Sequence, residues 1–190
     1  NSFIGRSACQ NNSTGRDLAF LGYEAGLSNT TGINNTAMGV QASRSNTDGN
    51  GNTCIGVTAC YTQNGANANS ALGYQAGYNG TTGSSNVYVG ASAGFTNTSG
   101  SRNIFIGDRA GYTHSGNEEL WIGSITATAN ALPVIWGNLN NGNIGISSQN
   151  AIGLLVVGSS ATPSFMVEAG TGRVAIATST PVSEFHVGLS

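Results

Sequence analysis

The sequence predicts an all-β fold: a β-solenoid of about seven to eight 17-residue turns, followed by two 30-residue β-modules. Three observations indicate this. Glycine recurs every 17 residues without an insertion, a short alternating apolar run precedes each glycine, and only 7% of the residues are charged. A 17-residue unit is too short for a helical repeat, which needs about 33 residues, so strands stacked from turn to turn remain. The glycine column consists of Gly5, Gly22, Gly39, Gly56, Gly73, Gly90 and Gly107.

The composition suits stacked, uncharged side chains. Lysine is absent and glycine contributes 29 of 190 residues, whereas typical domains are about 25% charged. Uncharged polar side chains can stack in register along a sheet, where like charges would repel each other. A net charge of −2 provides no field for nucleic acid, and no run of 18 apolar residues predicts a membrane-spanning helix. We therefore expect neither nucleic-acid binding nor membrane insertion.

The first predicted domain, residues 1–123, carries two apolar columns before its glycines. The aliphatic column, one residue before, is Ile4, Leu21, Met38, Ile55, Leu72, Val89 and Ile106; the central column, two before, is Phe3, Phe20, Ala37, Cys54, Ala71, Tyr88 and Phe105. Alternation along a strand places the two columns on opposite faces. We expect the aliphatic column inside the coil and the central column outside it. A strand apolar on both faces needs a partner outside the chain, which predicts a closed homo-oligomer.

Glycine and asparagine columns predict the corners of each turn. A second glycine column follows ten residues after the first, at Gly15, Gly32, Gly49, Gly83 and Gly100, and is displaced by one residue to Gly65 and Gly116. Positive φ or close backbone approach favours glycine at such corners. The asparagine column is Asn1, Asn35, Asn52, Asn69, Asn86 and Asn103. We expect its amides to bond the backbone of their own turn and to stack, and a second short strand to follow the corner.

An aromatic column and a hydroxyl column lie in the second half of each turn. The aromatic column, five residues after the glycine, is Gln10, Leu27, Arg44, Tyr61, Tyr78, Phe95 and Tyr112. Its rings either pack the second strand, which we favour, or form a surface-binding strip for a glycan or receptor at Tyr61, Tyr78, Phe95 and Tyr112. The hydroxyl column, eight residues after the glycine, is Ser13, Thr30, Thr47, Thr81, Thr98 and Ser115, with Asn64 in the remaining turn. Turn capping is the favoured interpretation of these hydroxyls, and ordering of water, as in ice-binding proteins, is the alternative.

The three cysteines form no obvious disulfide framework. Cys9 and Cys60 share a column three turns apart, about 14 Å at ~4.8 Å per turn, which exceeds the reach of a disulfide. Cys54 and Cys60 share a turn, but nothing in the sequence shows that their sulfurs meet. We expect small buried hydrophobic residues, with contacts between chains as the alternative.

The second predicted domain, residues 124–190, has a different period. Two modules, 129–158 and 159–188, align at a spacing of 30 residues, so that Pro133 falls on Pro163 and Gly142 on Gly172. Each predicts a strand, a glycine turn, a short strand, a loop and a further strand. Such a unit has too little core to stand alone, which favours intertwined chains.

No constellation of catalytic residues is visible. His114 and His186 fall in different domains, and Glu118 and Glu119 are adjacent at the junction. Phosphate loops, zinc-ligand spacings and nucleophile elbows are absent from the sequence. We expect no enzyme, no catalytic or metal site and no cofactor.

Two of the 17-residue turns resemble repeats of known fibres. The segments Asn35-Thr-Ala-Met-Gly-Val-Gln-Ala42 and Asn69-Ser-Ala-Leu-Gly-Tyr-Gln-Ala-Gly77 resemble the head repeats of trimeric autotransporter adhesins and, more closely, related repeats of bacteriophage tail fibres. Residues 172–187 are similar to the segment that often precedes a fibre's intramolecular chaperone, with Ala175 and Ala177 where glycines are usual. The resemblance implies a homotrimer of left-handed β-rolls and interwoven β-segments that projects from a virion or cell and binds host surfaces.

The expected function is therefore a structural fibre or adhesin segment for extracellular attachment, of the phage tail-fibre type. Its partners would be further copies of itself and a host-surface glycan or protein. The alternatives are a self-polymerising filament subunit of a bacterial cell surface, and an ice- or glycan-binding solenoid. Because Asn1 falls within a continuing pattern, the chain is expected to be either a mature piece or a fragment of something longer.

Overall fold

The structure is a computed structural model that describes residues 1–124 and 133–146 and the backbone of four further strands, 153–158, 163–168, 174–176 and 185–187. The described residues are all-β and contain no helix. Their contacts divide the chain into two compact units, Asn1–Asn117 and Glu118–Ser190. Each unit is described by itself.

The first unit is the predicted β-solenoid, and the seven-turn coil is confirmed. Each turn contributes one strand, and each of the first six strands pairs in parallel with the strand 17 residues further on, so that Phe3 lies beside Phe20 and Phe20 beside Ala37. The strands are β1 (Ser2–Ile4), β2 (Ala19–Leu21), β3 (Thr36–Met38), β4 (Thr53–Ile55), β5 (Ser70–Leu72), β6 (Val87–Val89) and β7 (Ile104–Ile106).

The faces of these strands are the reverse of those expected. The central column points into the coil, where Phe20, Tyr88 and Phe105 are buried. The aliphatic column points outward, and Leu21 and Leu72 are exposed. The predicted alternation was right, but the prediction of which column fills the coil was wrong.

Unequal side chains explain why the central column lies inside. The ring of Phe20 covers Gly26, where an added Cβ would lie 2.3 Å from a ring carbon, and the ring of Phe105 covers Gly111. Ala37 and Ala71 fill the same column in turns without a ring. A narrow interior at native packing density requires that a large side chain faces a small residue in this way. The uniform aliphatic column has no such matching and lies on the outer face.

The expected second strand is also wrong, because none follows the glycine corner in the described turns. Two residues that follow the glycine corner of each turn instead have left-handed backbone, as in Gln41 (φ 55°) and Ser43 (φ 52°). Left-handed residues interrupt an extended chain. The turns still stack, since Cys9 N donates to Ala25 O at 2.9 Å and Asn11 N to Leu27 O at 3.1 Å. The aromatic column therefore lies on stacked turns, not on a strand.

The cysteine prediction was wrong for one pair. Cys54 and Cys60 form a disulfide inside the coil, with Cα atoms 5.9 Å apart. The left-handed backbone at Cys60 (φ 52°) turns the chain back across the interior, so that the two columns face each other. Cys9 is a buried free thiol, and burial raises its pKa to about 11.

The second unit contains strands β8 (Glu119–Ile122), β9 (Ile135–Asn138), β10 (Asn143–Ile146), β11 (Gly153–Gly158), β12 (Pro163–Glu168), β13 (Val174–Ile176) and β14 (Phe185–Val187). β9 pairs antiparallel with β8 and with β10, and β10 runs parallel to β11. β12 pairs antiparallel with β11 and with β13, and β13 runs parallel to β14. Asn141–Gly142 forms the turn that was predicted there; the corresponding turn at Thr171–Gly172 lies outside the described residues.

Candidate functional surfaces

The glycine column forms the tightest corner of the coil. Its φ angles lie between 125° at Gly107 and 143° at Gly73, a region that is essentially restricted to glycine. An added Cβ at Gly56 would lie 2.2 Å from the carbonyl oxygen of Gly73 in the next turn. Both the backbone conformation and the approach of successive turns therefore require glycine here.

The asparagine column forms a hydrogen-bonded ladder inside the coil. Asn35, Asn52, Asn69, Asn86 and Asn103 are all buried. The Oδ1 of each of the first four accepts the backbone N–H of the next asparagine, as Asn69 does from Asn86 at 2.9 Å. Each Nδ2 donates to a carbonyl of its own turn, as Asn69 does to Gly83 at 2.8 Å. The ladder thus satisfies buried backbone groups that no strand pairs.

A second buried amide column was missed by the sequence analysis. It lies seven residues after the glycine, where Asn29, Asn46, Gln63 and Asn97 are buried and Asn12, in the first turn, is half-buried. Asn46 closes the second corner, because its Oδ1 accepts from Gly49 N and its Nδ2 donates to Gly49 O, both at 3.0 Å. The recurring spacing Asn-x-x-Gly, as in Asn46 to Gly49, would have revealed it.

The second glycine column is set by close packing. An added Cβ at Gly100 would lie 2.1 Å from Gly116 O and 2.4 Å from Asn97 Oδ1. Gly116 holds the column position in a shortened turn, since Asn103 Nδ2 donates to its carbonyl at 2.8 Å. In the fourth turn, residues 52–68, that position belongs to Ala66, whose carbonyl accepts from Asn52 Nδ2. The prediction of Gly65 as its displaced equivalent was wrong.

The aromatic column is a continuous stack of rings. Centroids lie 5.0 Å apart from Tyr61 to Tyr78 and from Tyr78 to Phe95, and 4.9 Å from Phe95 to Tyr112. The planes are within 9° of parallel, and the Arg44 guanidinium lies over Tyr61. Stacking covers the ring faces, so the half-buried rings present their edges to solvent. A surface-binding role for these rings stays a prediction, and it would use ring edges.

The hydroxyl column caps the backbone of the neighbouring turn. Ser13 Oγ donates to Thr30 O at 2.9 Å, Thr30 Oγ1 to Thr47 O at 3.0 Å and Thr81 Oγ1 to Thr98 O at 2.8 Å. These hydroxyl protons are used within the protein. The geometry therefore favours capping over ordered water.

A carboxylate network joins the second and third turns. Glu24 Oε2 accepts from Arg44 Nε at 2.8 Å and from Gln41 Nε2 at 2.9 Å. These bonds stabilise the charged form and hold the pKa of Glu24 at about 2, below its ordinary value of 4.5.

This network predicts acid-sensitive stability. A depressed folded-state pKa contributes stability that is complete above pH 4.5 and is lost as the pH falls towards about 2. We expect Glu24→Gln to flatten the decline in the free energy of unfolding over that interval, measured by urea titration at several pH values. Asp17→Asn, which removes an exposed carboxylate at the end of the first turn, serves as the control and should keep the wild-type slope. Equal slopes for wild type and Glu24→Gln would contradict the prediction.

An apolar surface runs along the outside of the coil. We call it the outer apolar stripe, comprising the aliphatic column together with Tyr23, Val40, Val57 and Tyr74, which directly follow their glycines. Leu72 is 52% exposed and Tyr74 is 55% exposed. Exposed apolar surface of this kind is characteristic of interaction sites.

Other kinds of site find no support in the part of the chain that the structure describes. It contains no group of three or more His, Cys, Asp or Glu side chains placed to hold a metal ion. Nor does it contain a helix with the length and apolar character needed to cross a membrane. Comparisons with known proteins found no matching family model, no similar curated protein and no similar solved structure.

Proposed function

We propose that this chain is a structural segment of an extracellular attachment fibre, of the phage tail-fibre type, in which three copies associate side by side. The outer apolar stripe is the observation that carries the proposal. The interior of the coil is filled by the chain's own rings, amides and disulfide, so a partner can only cover the outer face. Within the described ranges, Ser43 Oγ is the one buried side-chain nitrogen or oxygen without a hydrogen-bond partner.

The geometry of the stripe suits parallel copies of the same chain. Its side chains repeat at every turn, about 4.8 Å apart along the stack. A parallel copy related by a symmetry axis along the coil would present the same residues at the same heights. Burying a side chain such as Leu72 contributes about 1.5 to 3 kcal/mol, so contacts repeated over several turns can outweigh the entropy lost on association.

Oligomeric mass tests this assembly. We expect sedimentation equilibrium to give three times the 19.1 kDa chain mass. Leu72→Glu should release monomers with an unchanged circular dichroism spectrum, because Leu72 is exposed on the coil. Thr82→Glu is the matched control, since Thr82 is exposed in the column where Asp48 already carries an acid. A monomeric wild type would contradict the proposal, and an open-ended mass distribution would support the filament subunit instead.

Attachment is tested with the trimer on a glycan array and on host-surface protein extracts. We expect binding by the wild type. Loss of that binding in Tyr78→Ala and Tyr112→Ala, with trimer mass retained, would place the contact on the aromatic column. Retained binding would place it elsewhere on the fibre, and a wild type that binds no surface component would contradict attachment through this segment.

A further inference from the structure

The Cys54–Cys60 disulfide is enclosed by the coil. Cys54 is 0% exposed and Cys60 is 1% exposed. The strand that carries Cys54 pairs with the turns on both sides, placing Ala37 and Ala71 beside it. Cys60 N donates to Ala76 O of the next turn at 2.9 Å. Any reagent that reaches either sulfur must therefore first separate stacked turns.

The interior around the disulfide is matched to it. The adjacent turns carry small residues in the same two columns, Ala37 with Ser43 on one side and Ala71 with Gly77 on the other. Aromatic rings occupy the interior of more distant turns, at Phe20, Tyr88 and Phe105. The disulfide lies between these small residues, and the Tyr88 ring covers Gly77, where an added Cβ would lie 2.7 Å from a ring carbon.

We propose that this disulfide forms before the fourth turn, residues 52–68, is enclosed by its neighbours, and that the chain therefore coils in an oxidising compartment. The oxidant is a small-molecule or enzyme disulfide. One cysteine thiolate attacks it to form a mixed disulfide and releases one donor thiol. The second cysteine then attacks the mixed disulfide, closing the Cys54–Cys60 bond and releasing the second donor thiol. Two protein thiols are oxidised and one donor disulfide is reduced.

This inference does not depend on the attachment function. It distinguishes a fibre that is secreted before it coils from one that is assembled inside a cell. The cytosol keeps thiols reduced, whereas secreted proteins acquire disulfides. A fibre assembled inside a cell would coil with two buried thiols, which remain inaccessible to oxidants afterwards. The enclosed disulfide therefore favours a secreted cell-surface fibre that shares the tail-fibre type of repeat and coils outside the cytosol, over a virion fibre assembled inside a host cell.

The experiment compares oxidation of the coiled and unfolded chains. The protein carries Cys9→Gly, because glycine occupies that column in four other turns, at Gly26, Gly77, Gly94 and Gly111, so the pair supplies the only thiols. The chain is reduced in urea, refolded with reductant, exchanged into oxidised glutathione, and assayed by alkylation and mass spectrometry. We expect the coiled chain to oxidise at least about 100-fold more slowly than the chain in urea, because oxidation requires local opening. Comparable rates would overturn the proposal.

Two further measurements complete the test. Cys54→Ala with Cys60→Gly reproduces the Ala71 and Gly77 pair of the fifth turn and provides the spectroscopic reference for a coil without the disulfide. If the reduced chain fails to reach that spectrum, oxidation must precede coiling, which supports the proposal. Production in a reducing bacterial cytosol, with alkylation at lysis, should yield two free thiols, and periplasmic production should yield the disulfide. A disulfide already present in the cytosolic product would contradict the inference about the compartment.

Discussion

Gly73→Ala should destabilise the coil by about 3 to 5 kcal/mol, which is large for a single methyl group. Gly73 has φ +143°, and its added Cβ would lie 2.5 Å from the carbonyl oxygen of Gly90. The contact is with backbone that is itself hydrogen-bonded from turn to turn, so no side-chain rotation can relieve it. Urea unfolding at a fixed protein concentration, followed by circular dichroism, measures the loss.

Gly51→Ala provides the matched control for this substitution. Gly51 also has positive φ, at +68°, but the nearest atoms to its added Cβ are backbone atoms of Ala68 at 3.9 Å. Ala68 occupies the same column with φ 57°, so the position accepts a side chain. We expect a loss of about 1 kcal/mol for the left-handed alanine. Equal losses at Gly51 and Gly73 would show that close approach of the turns does not select glycine at the corner.

Asn69→Ala is expected to destabilise the coil by about 3 to 5 kcal/mol, because two buried backbone groups lose their partners at about 1 to 3 kcal/mol each and a cavity remains. The backbone N–H of Asn86 loses its acceptor at 2.9 Å, and the carbonyl of Gly83 loses its donor at 2.8 Å. The free energy of unfolding from urea titration measures this effect.

Asn67→Ala is the control for exposure. Asn67 Oδ1 accepts the backbone N–H of Asn50 at 2.8 Å, but this bond lies on the exposed side of the coil. Water can replace it, so we expect a loss of about 1 kcal/mol or less. Losses of equal size for Asn67→Ala and Asn69→Ala would contradict the view that burial makes the inner ladder costly to break.

Asn69→Asp separates the acceptor from the donor of the same amide. The carboxylate keeps the acceptor for Asn86 but faces the Gly83 carbonyl without a proton to donate. Burial should raise the pKa of this aspartate above its unfolded value of about 3.9. The deficit relative to wild type should therefore be smallest below that pH and should grow as the pH rises. A deficit that is the same at pH 3 and pH 7 would contradict this account.

The repeat itself made much of the fold predictable. Because the same environment recurs in each turn, a constraint on one residue appears as a column in the sequence. Two such columns are the glycine at the second corner of a turn, as in Gly49, and the asparagine three residues later that begins the next turn, as in Asn52. The position of each strand also followed, since the alternating run before the glycine is the strand in every turn, as in Thr53–Ile55.

Sequence reasoning failed where the deciding contact joins different columns. It predicted that the uniform aliphatic column would fill the coil, but the interior is filled by the variable central column. The sequence feature that indicates this is a large side chain in one column opposite a small residue in another, such as Phe105 and Gly111, whose contact crosses the coil. The disulfide is also a contact between two columns, because Cys54 and Cys60 meet only after the left-handed backbone turns the chain back.

The sequence by itself determined the period, the corners and the strand positions, because steric exclusion and backbone hydrogen bonding act within a turn and between identical positions of adjacent turns. Only the tertiary structure decided which face is interior, that Cys54 and Cys60 are joined, and that the outer apolar stripe is exposed. These depend on the space enclosed when the chain closes into a coil, and on the left-handed residues that set its width.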